Sequence, residues 1–142
     1  YLEIARFEGS SSTSEAIAAY KCVNDNLKFG ENRASATDNY MKVARFEGSS
    51  STSEAMSIHN VISQSIKPGE SRTSATDNYL KVARFEGSSS TSDAIAAYKT
   101  INESIKPGEN RTSVTNVYLD IARQVGSSST SKAISQFKET NF

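Results

Sequence analysis

The stretch "ARFEGSSSTSEA" at residues 5–16 recurs letter for letter at residues 44–55 and returns at residues 83–94 with one change, Asp93 for glutamate. An eroded fourth copy, "ARQVGSSSTSKA", occupies residues 122–133. The copies are 39 residues apart each time, without any insertion. A period between about 20 and 50 residues is typical of repeat proteins, in which each repeat is one supersecondary element. The sequence therefore predicts a tandem repeat.

Each repeat reads as two helices joined by a serine-rich loop. In "ATDNYMKVARFE", residues 36–47, the apolar residues recur with a helical period, Ser35 and Asp38 form a capping-box-like start, and Gly48 is a stop signal. The second helix is predicted to begin at Ser51, with Glu54 completing an S-x-x-E box. The same start signals recur at Ser74/Asp77, Ser12/Glu15 and Ser90/Asp93, and the stop signals of the second helices are Pro68-Gly69 and Pro107-Gly108.

These signals predict an all-α protein of tandem 39-residue helix-turn-helix repeats, forming a short α-solenoid or an irregular helical array. We expect one repeat region over residues 1–142, with repeats at 1–39, 40–78 and 79–117 and a partial repeat at 118–142. Seven or so helices are expected, most clearly the pairs near residues 36–67 and 75–106.

The composition argues against several classes of function. Sixteen basic residues balance sixteen acidic ones, so no global field attracts nucleic acid, and no apolar stretch approaches the roughly 20 residues of a membrane span. His59 takes the place that Tyr20, Tyr98 and Phe137 hold in the other repeats, which favours aromatic packing, and Cys22 has no common chemistry with its counterparts. We therefore expect no enzymatic activity, no cofactor, no metal and no small-molecule substrate.

The candidate binding residues lie near the end of the first helix of each repeat. Arginine and aromatic residues are enriched at interface hot spots, and lysine replaces an acidic neighbour of the arginine in the two middle repeats. The alternative is a solvated arginine, paired with Glu3 or Asp120 one turn back, beside a phenylalanine packed between repeats. The partner-binding candidates are Arg6, Arg45, Arg84 and Arg123 (the helix-end arginines), Phe7, Phe46, Phe85, Lys42 and Lys81. Regular stacking would align these arginines in a column, with Arg33, Arg72 and Arg111 (the loop arginines) near the loop that enters each repeat.

Two further patterns bear on the repeat. Glu8, Glu47 and Glu86 point toward the apolar side of their helices, so we expect them to accept hydrogen bonds from serine-loop amides or from Arg33. The first helix is nearly identical between the second and third repeats, whereas the second helix changes at many places that spare its apolar arc. Recent duplication is one explanation, and a repeated binding surface is the other.

We interpret the chain as a non-catalytic linker or scaffold whose repeated faces bind equivalent sites on a symmetric multi-subunit complex. Tyr1 falls within a predicted helix and the last residues fall within the fourth repeat, which suggests a chain that continues elsewhere or is embedded in an assembly that covers its open ends. The start without methionine is compatible with organelle import, and a plastid light-harvesting assembly is one such setting. The alternative is an RNA-binding repeat, in which one arginine and one tyrosine per repeat contact a phosphate and stack on a base.

Overall fold

The computed structural model of the chain describes residues 1–9, 12–48, 51–87 and 90–141. The serine-rich connections at residues 10–11, 49–50 and 88–89, predicted as loops, lie outside the described residues. All regular structure within the described ranges is helical. The all-α prediction is therefore confirmed.

The described residues form eight α-helices, arranged as successive helix pairs. The two helices of the second, third and fourth pairs are of similar length, which is the pattern of a repeated helical array. The helices are α1 (Leu2–Glu8), α2 (Thr13–Asp25), α3 (Arg33–Glu47), α4 (Thr52–Ser65), α5 (Arg72–Glu86), α6 (Thr91–Ser104), α7 (Arg111–Val125) and α8 (Thr130–Asn141), with a 3-10 turn at Ser127–Ser129.

The chain divides into two compact units, Tyr1–Thr76 and Asp77–Phe142. In the first unit, α2 packs against α1, α3 and α4, and α3 packs against α4. In the second unit, α6 packs against α7 and α8, and α7 packs against α8. Each unit therefore contains contacts within a helix pair and contacts between successive pairs.

The first helices begin earlier than predicted. Asn32 caps α3, its Oδ1 accepting a hydrogen bond from the Ser35 amide at 3.1 Å, and the Ser71 hydroxyl accepts one from the Ser74 amide at 3.1 Å. The predicted capping box of Ser35 and Asp38 is therefore wrong. Asn and Ser are both strong N-cap residues. The sequence offers two such residues, Asn32 and Ser35, three positions apart. Asp38 completes a capping-box pattern with Ser35, and that pattern led to the wrong choice.

The second helices begin where predicted, but the predicted capping hydrogen bonds are not present among the described residues. Ser12, Ser51 and Ser90 are the N-cap residues of α2, α4 and α6, yet their side chains make no capping hydrogen bond among the described residues. Glu54 accepts a hydrogen bond from the adjacent Ser53 hydroxyl at 3.1 Å, and the first repeat repeats this contact. The predicted boundary is confirmed, and the S-x-x-E box is wrong because the exposed carboxylate takes a nearer donor.

The predicted stop of α3 at Gly48 is confirmed. Gly48 has φ +98°, a conformation that side-chain-bearing residues rarely adopt, and its amide donates to the Ala44 carbonyl oxygen at 2.8 Å. Helix α4 ends at Ser65, and Pro68 and Gly69 then form the turn toward α5. Glycine therefore sets the length of the helix that carries the candidate binding residues.

The helices α3, α5 and α7 each contribute one buried tyrosine to the core. Tyr40, Tyr79 and Tyr118 are fully buried. The second helices were expected to vary only outside their apolar arc, but Ile58 and His59 of α4 correspond to Ala97 and Tyr98 of α6, and all four are buried. That expectation is wrong, because a volume change at one buried position can be compensated by its neighbours in the core.

Candidate functional site

The helix-end arginines occupy the same place on each first helix, two residues before its end. Arg6 and Arg45 are exposed in the first unit, and Arg84 and Arg123 are exposed in the second. The buried residues Val43 and Ala44 precede Arg45 and hold the opposite side of α3 in the core. A cation in the last turn is also favoured by the negative end of the helix dipole. The fold therefore presents these guanidinium groups to solvent.

The residue three positions before each helix-end arginine changes sign along the chain. It is acidic in the first and fourth repeats, as Glu3 and Asp120, and it is Lys42 or Lys81 in the middle repeats. Asp120 accepts a hydrogen bond from Arg123 at 3.4 Å, and both side chains are more than half exposed. The predicted local pairing is thus present in the fourth repeat. In α3 and α5, by contrast, two cations lie one helical turn apart.

The three predicted phenylalanines are less accessible than the arginines beside them. Phe7, Phe46 and Phe85 are half-buried. Each ring therefore keeps part of its surface available while the rest packs against the protein. The basic residues are the more accessible part of the candidate site, and the phenylalanines form its edge.

The loop arginines have a different role. Arg33 is exposed, whereas Arg72 is only 4% exposed and forms a two-point ion pair with Glu31, at 2.6 Å from Nε to Oε2 and 3.0 Å from Nη2 to Oε1. Arg72 also donates to the Ser63 hydroxyl at 2.5 Å and to the Asn26 carbonyl oxygen at 2.7 Å. Its guanidinium thus connects α5 with α4 and with the α2–α3 loop.

This network changes the ionisation of Glu31. Burial by itself would raise the pKa of Glu31, but hydrogen bonds from Arg72 and from the Lys28 amide outweigh it and lower the pKa.

Arg111, the counterpart of Arg72 in the second unit, is also buried, donates to Asn102 Oδ1 at 3.0 Å, and lies 5.1 Å from the centre of the Tyr98 ring. Glu31 and Arg72 belong to successive copies of a repeated "GExR" segment, at residues 30–33 and 69–72, which was a sequence signal that the prediction did not use.

The buried glutamates are held by threonine hydroxyls. Thr52 at the start of α4 donates to Glu8, with 2.8 Å to each carboxylate oxygen, and Thr130 at the start of α8 donates to Glu86 at 2.6 Å. Burial raises the pKa of Glu86, and this hydrogen bond opposes the shift. The predicted role as latches is confirmed for these two residues. The predicted donors at residues 10–11, 49–50 and 88–89 lie outside the described residues, and the donor that the structure shows is the threonine of the next repeat.

His59 packs as an aromatic residue, as its place in the repeat predicted. Its ring meets Tyr40 edge to face with 5.7 Å between centroids, and Tyr118 and Phe137 repeat this geometry in the second unit. Burial lowers the pKa of His59 to about 4, and the nearby Arg72 charge adds to the shift. Its Nε2 atom is buried and has no hydrogen-bond partner among the described residues. The imidazole is therefore neutral at physiological pH and serves as core.

Cys22 lies in the contact between α2 and α4. Its Sγ is 3.4 Å from Asn60 Oδ1, and Asn26 Nδ2 donates to the same oxygen at 2.7 Å. Burial raises the pKa of the Cys22 thiol, although a hydrogen bond with Asn26 opposes the shift. Because the thiolate is the nucleophilic form, these surroundings make the thiol less reactive.

The described residues also bear on metal sites and on membrane spans. No cluster of three or more His, Cys, Asp or Glu side chains within the described ranges is arranged to hold a metal ion. In that same part of the chain, no helix combines the length and apolarity needed to cross a membrane.

Comparison of the chain with protein-family models, with curated proteins and with solved structures finds no match. The strongest candidate site is the pair of exposed basic clusters, Lys42 with Arg45 on α3 and Lys81 with Arg84 on α5 (the dibasic pairs).

Proposed function

We propose that the protein is a non-catalytic linker or scaffold, and that its dibasic pairs bind equivalent sites on a multi-subunit protein partner. One pair is on α3 and the other is on α5, each with a half-buried phenylalanine, Phe46 or Phe85, next to the arginine. The exposed helix-end arginines Arg6 and Arg123 hold the same position on the first helices of the first and fourth repeats.

The observation that carries this proposal is the contrast between exposed positions on the first and second helices. Exposed Asp38, Lys42 and Arg45 of α3 reappear unchanged on α5 as Asp77, Lys81 and Arg84. Exposed Ser57, Asn60 and Gln64 of α4 all differ from their counterparts on α6, which are Ala96, Lys99 and Glu103. Substitutions at exposed positions usually change stability by less than about 0.5 kcal/mol, so folding does not require this identity. Duplication alone would leave both helices equally alike.

The chemistry of the pairs selects a carboxylate-bearing surface. Arginine offers a planar fork of donors that fits a carboxylate with two parallel hydrogen bonds, and the adjacent lysine adds a second cation. Two like sites on one chain gain affinity when both engage equivalent sites on one partner. The proposed partner is therefore an assembly with repeated acidic patches.

A plastid light-harvesting assembly is the first partner that we propose to test, because an antenna built of rings presents many copies of one site. The experiment is a pull-down from native plastid extract, with mass spectrometry of the bound proteins. Wild type is compared with the double variant Arg45→Ala/Arg84→Ala. The matched control is Lys99→Ala/Lys138→Ala, which removes the same charge from exposed positions of the second helices.

We expect wild type and the control to retain one multi-subunit complex that the double arginine variant loses. Each single arginine variant should retain it partially, because one site remains. Equal retention by all variants, or retention of no multi-subunit partner by wild type, contradicts the proposal.

RNA binding is the alternative, and the structure weakens its stacking component. Tyr40, Tyr79 and Tyr118 are fully buried, so they are not available to stack on bases. The dibasic pairs could still contact phosphates, in which case binding would weaken steeply with salt. A filter-binding assay with single-stranded RNA over a salt series tests this alternative, and tight binding with a steep slope would favour it over the protein partner.

A further inference from the structure

We infer that two copies of this chain associate through Phe29, each copy placing this ring in the groove between α2 and α4 of the other. Phe29 lies in the loop that joins α2 to α3, and the groove is on the outer surface of the same unit. This contact uses none of the residues of the dibasic pairs.

Phe29 is the most exposed large apolar side chain in the part of the chain that the structure describes. Its whole side chain lies in solvent. The corresponding residues of the next two repeats, Pro68 and Pro107, are exposed as well, and Pro68 stays exposed although repeats precede and follow it in the chain. The exposure of Phe29 is therefore a property of this loop and not of a missing neighbour.

The turn that carries Phe29 is held in one conformation. The Glu31 amide donates to the Lys28 carbonyl oxygen at 2.9 Å, and Gly30 has φ +79°, as the third residue of a type II turn does. The Lys28 amide donates to Glu31 Oε1 at 2.9 Å, and Arg72 forms its two-point ion pair with the same carboxylate. Because the turn is already ordered, docking the ring costs little backbone entropy.

The other repeats show that this turn does not need an aromatic residue. The same two hydrogen bonds close the turns at residues 67–70 and 106–109, where proline takes the place of Phe29. Proline fixes the backbone at this position of the turn and lowers the entropy of the unfolded chain. Phenylalanine gives up that stabilisation and leaves a ring in water, which favours a role in a contact.

The groove between α2 and α4 has room for the ring. Its volume is about 500 Å³, and a cavity of about 150 Å³ already holds benzene. Ala18, Cys22 and Met56 provide apolar and sulfur surface in the groove, and methionine sulfur packs favourably against aromatic rings. Asp25 and Asn26 line the end nearest the α2–α3 loop. Since α2 and α4 pack directly against each other, the groove belongs to two successive repeats.

Placement and charge favour a second copy as the occupant. Asn26 lines the groove three residues before Phe29, so each copy carries the ring and the groove side by side. Such a patch is self-complementary, and a two-fold axis beside it brings each ring to the other groove. The same axis sets exposed Lys28 of one copy against exposed Asp25 of the other, and this pair forms twice. Lys21 lies one helical turn before Asp25, away from the loop, so the end of the groove that receives Lys28 is acidic.

The test is sedimentation equilibrium of the purified 142-residue chain over a wide concentration range, with helicity checked by circular dichroism. Phe29→Pro removes the ring and introduces the residue that the same turn contains in the next repeats, so the fold should persist. Ser57→Lys obstructs the groove from an exposed position of α4. Gln64→Lys is the matched control, because it adds the same charge at an exposed position of α4 that does not line the groove.

We expect the mass of wild type and of Gln64→Lys to rise with concentration to that of a dimer and no further, because the two patches occupy each other. Phe29→Pro and Ser57→Lys should each raise the dissociation constant by about tenfold or more. An equimolar mixture of these two variants should associate more tightly than either alone, since one intact ring then faces one intact groove. Lys28→Asp should weaken the dimer, and adding Asp25→Lys to the same chain should restore it.

Four outcomes overturn this assignment. Wild type that stays monomeric at the highest concentration does so directly, and growth beyond a dimer excludes a two-fold contact. Undiminished association of Phe29→Pro shows that the ring is not part of the contact. A mixture of Phe29→Pro and Ser57→Lys that associates no more tightly than each variant alone shows that the ring does not enter the groove. Since no other protein is present, these outcomes leave the proposed role of the dibasic pairs unaffected.

Discussion

Arg72 and Arg45 carry the same side chain and recur with the same period, yet the fold uses them in opposite ways. Arg72 is buried in a network with Glu31, Ser63 and Asn26, whereas Arg45 is exposed near the end of α3. The second unit shows the same contrast between buried Arg111 and exposed Arg123. A repeated arginine is therefore evidence for a binding surface only after its burial and its acceptors are known.

The largest expected effect tests the buried side of this comparison. Arg72→Ala removes one partner of a largely buried ion pair and leaves the Ser63 hydroxyl and the Asn26 carbonyl without their donor. We expect the free energy of unfolding to fall by about 3–5 kcal/mol. Urea denaturation followed by circular dichroism measures this change. Arg45→Ala is the matched control and should change it by less than about 0.5 kcal/mol. Similar losses of unfolding free energy for the two variants would contradict the distinction between the buried Arg72 and the exposed Arg45.

The next prediction uses His59, because burial lowers its pKa to about 4 and the Arg72 charge adds to the shift. A histidine in an unfolded chain has a pKa near 6.5. The pKa of His59 is lower in the folded state than in the unfolded state, so protonation favours unfolding. The contribution of the neutral histidine to the free energy of unfolding is therefore complete above pH about 6.5 and is lost as the pH falls through the folded pKa. Its full size is about 3 kcal/mol.

The measurement is urea denaturation of wild type and His59→Phe between neutral pH and pH about 4. Phenylalanine is the residue that the fourth repeat uses at this place, as Phe137. The variant should lose less stability on acidification, and the difference between the two curves isolates the histidine from the carboxylates. Parallel curves would contradict the pKa of about 4.

A smaller effect is expected at the glutamate latch of the second unit. Thr130→Val keeps the shape of the side chain but removes the hydroxyl that donates to Glu86 at 2.6 Å. A hydrogen bond to a charged group contributes about 1.5–3 kcal/mol, so the unfolding free energy should fall by about 2 kcal/mol. Ser131→Ala, at the exposed next position, is the control. An effect no larger than that of the control would show that the latch contributes nothing to stability.

The smallest effect concerns the exposed pair of Arg123 and Asp120, at 3.4 Å. Exposed ion pairs are worth about 0–1 kcal/mol, because water screens the charges and ordering two side chains costs entropy. Asp120→Ala should therefore shift the unfolding free energy by less than about 0.5 kcal/mol. Thermal and urea denaturation together resolve such a change. A loss of unfolding free energy above about 1 kcal/mol would show that this pair stabilises the fold, as the contacts of Arg72 do.

The sequence predicted the helical fold well because its signals are local. The helical period of the apolar residues, the stop at Gly48 and the aromatic place of His59 depend on side chains a few positions apart, or on direct comparison of repeats. The predicted N-cap of α3 was wrong, although an N-cap is also a local feature. Asn32 and Ser35 are both possible cap residues, and only the path of the backbone selects between them. The donors to Glu8 and Glu86 were missed because each lies 44 residues further along the chain.

The candidate site, too, was predicted in part from the sequence and depends in part on the tertiary structure. The period alone identified the helix-end arginines and the lysines beside them in the middle repeats, but their exposure, and the partial burial of Phe46 and Phe85, follow from packing. The hydrogen bonds from Asn39 to Thr73 and from Thr52 to Glu8 likewise became visible only in the tertiary structure.

By itself, the sequence determined that this protein is a tandem array of helix pairs with a 39-residue period. Helix formation and termination depend on neighbouring residues, so identical letters form the same local structure in every repeat. Only the tertiary structure decided which of the repeated arginines are buried in contacts and which are exposed. Burial and hydrogen-bond partners are properties of contacts between repeats, and those contacts join Arg72 to Glu31 while leaving Arg45 in solvent.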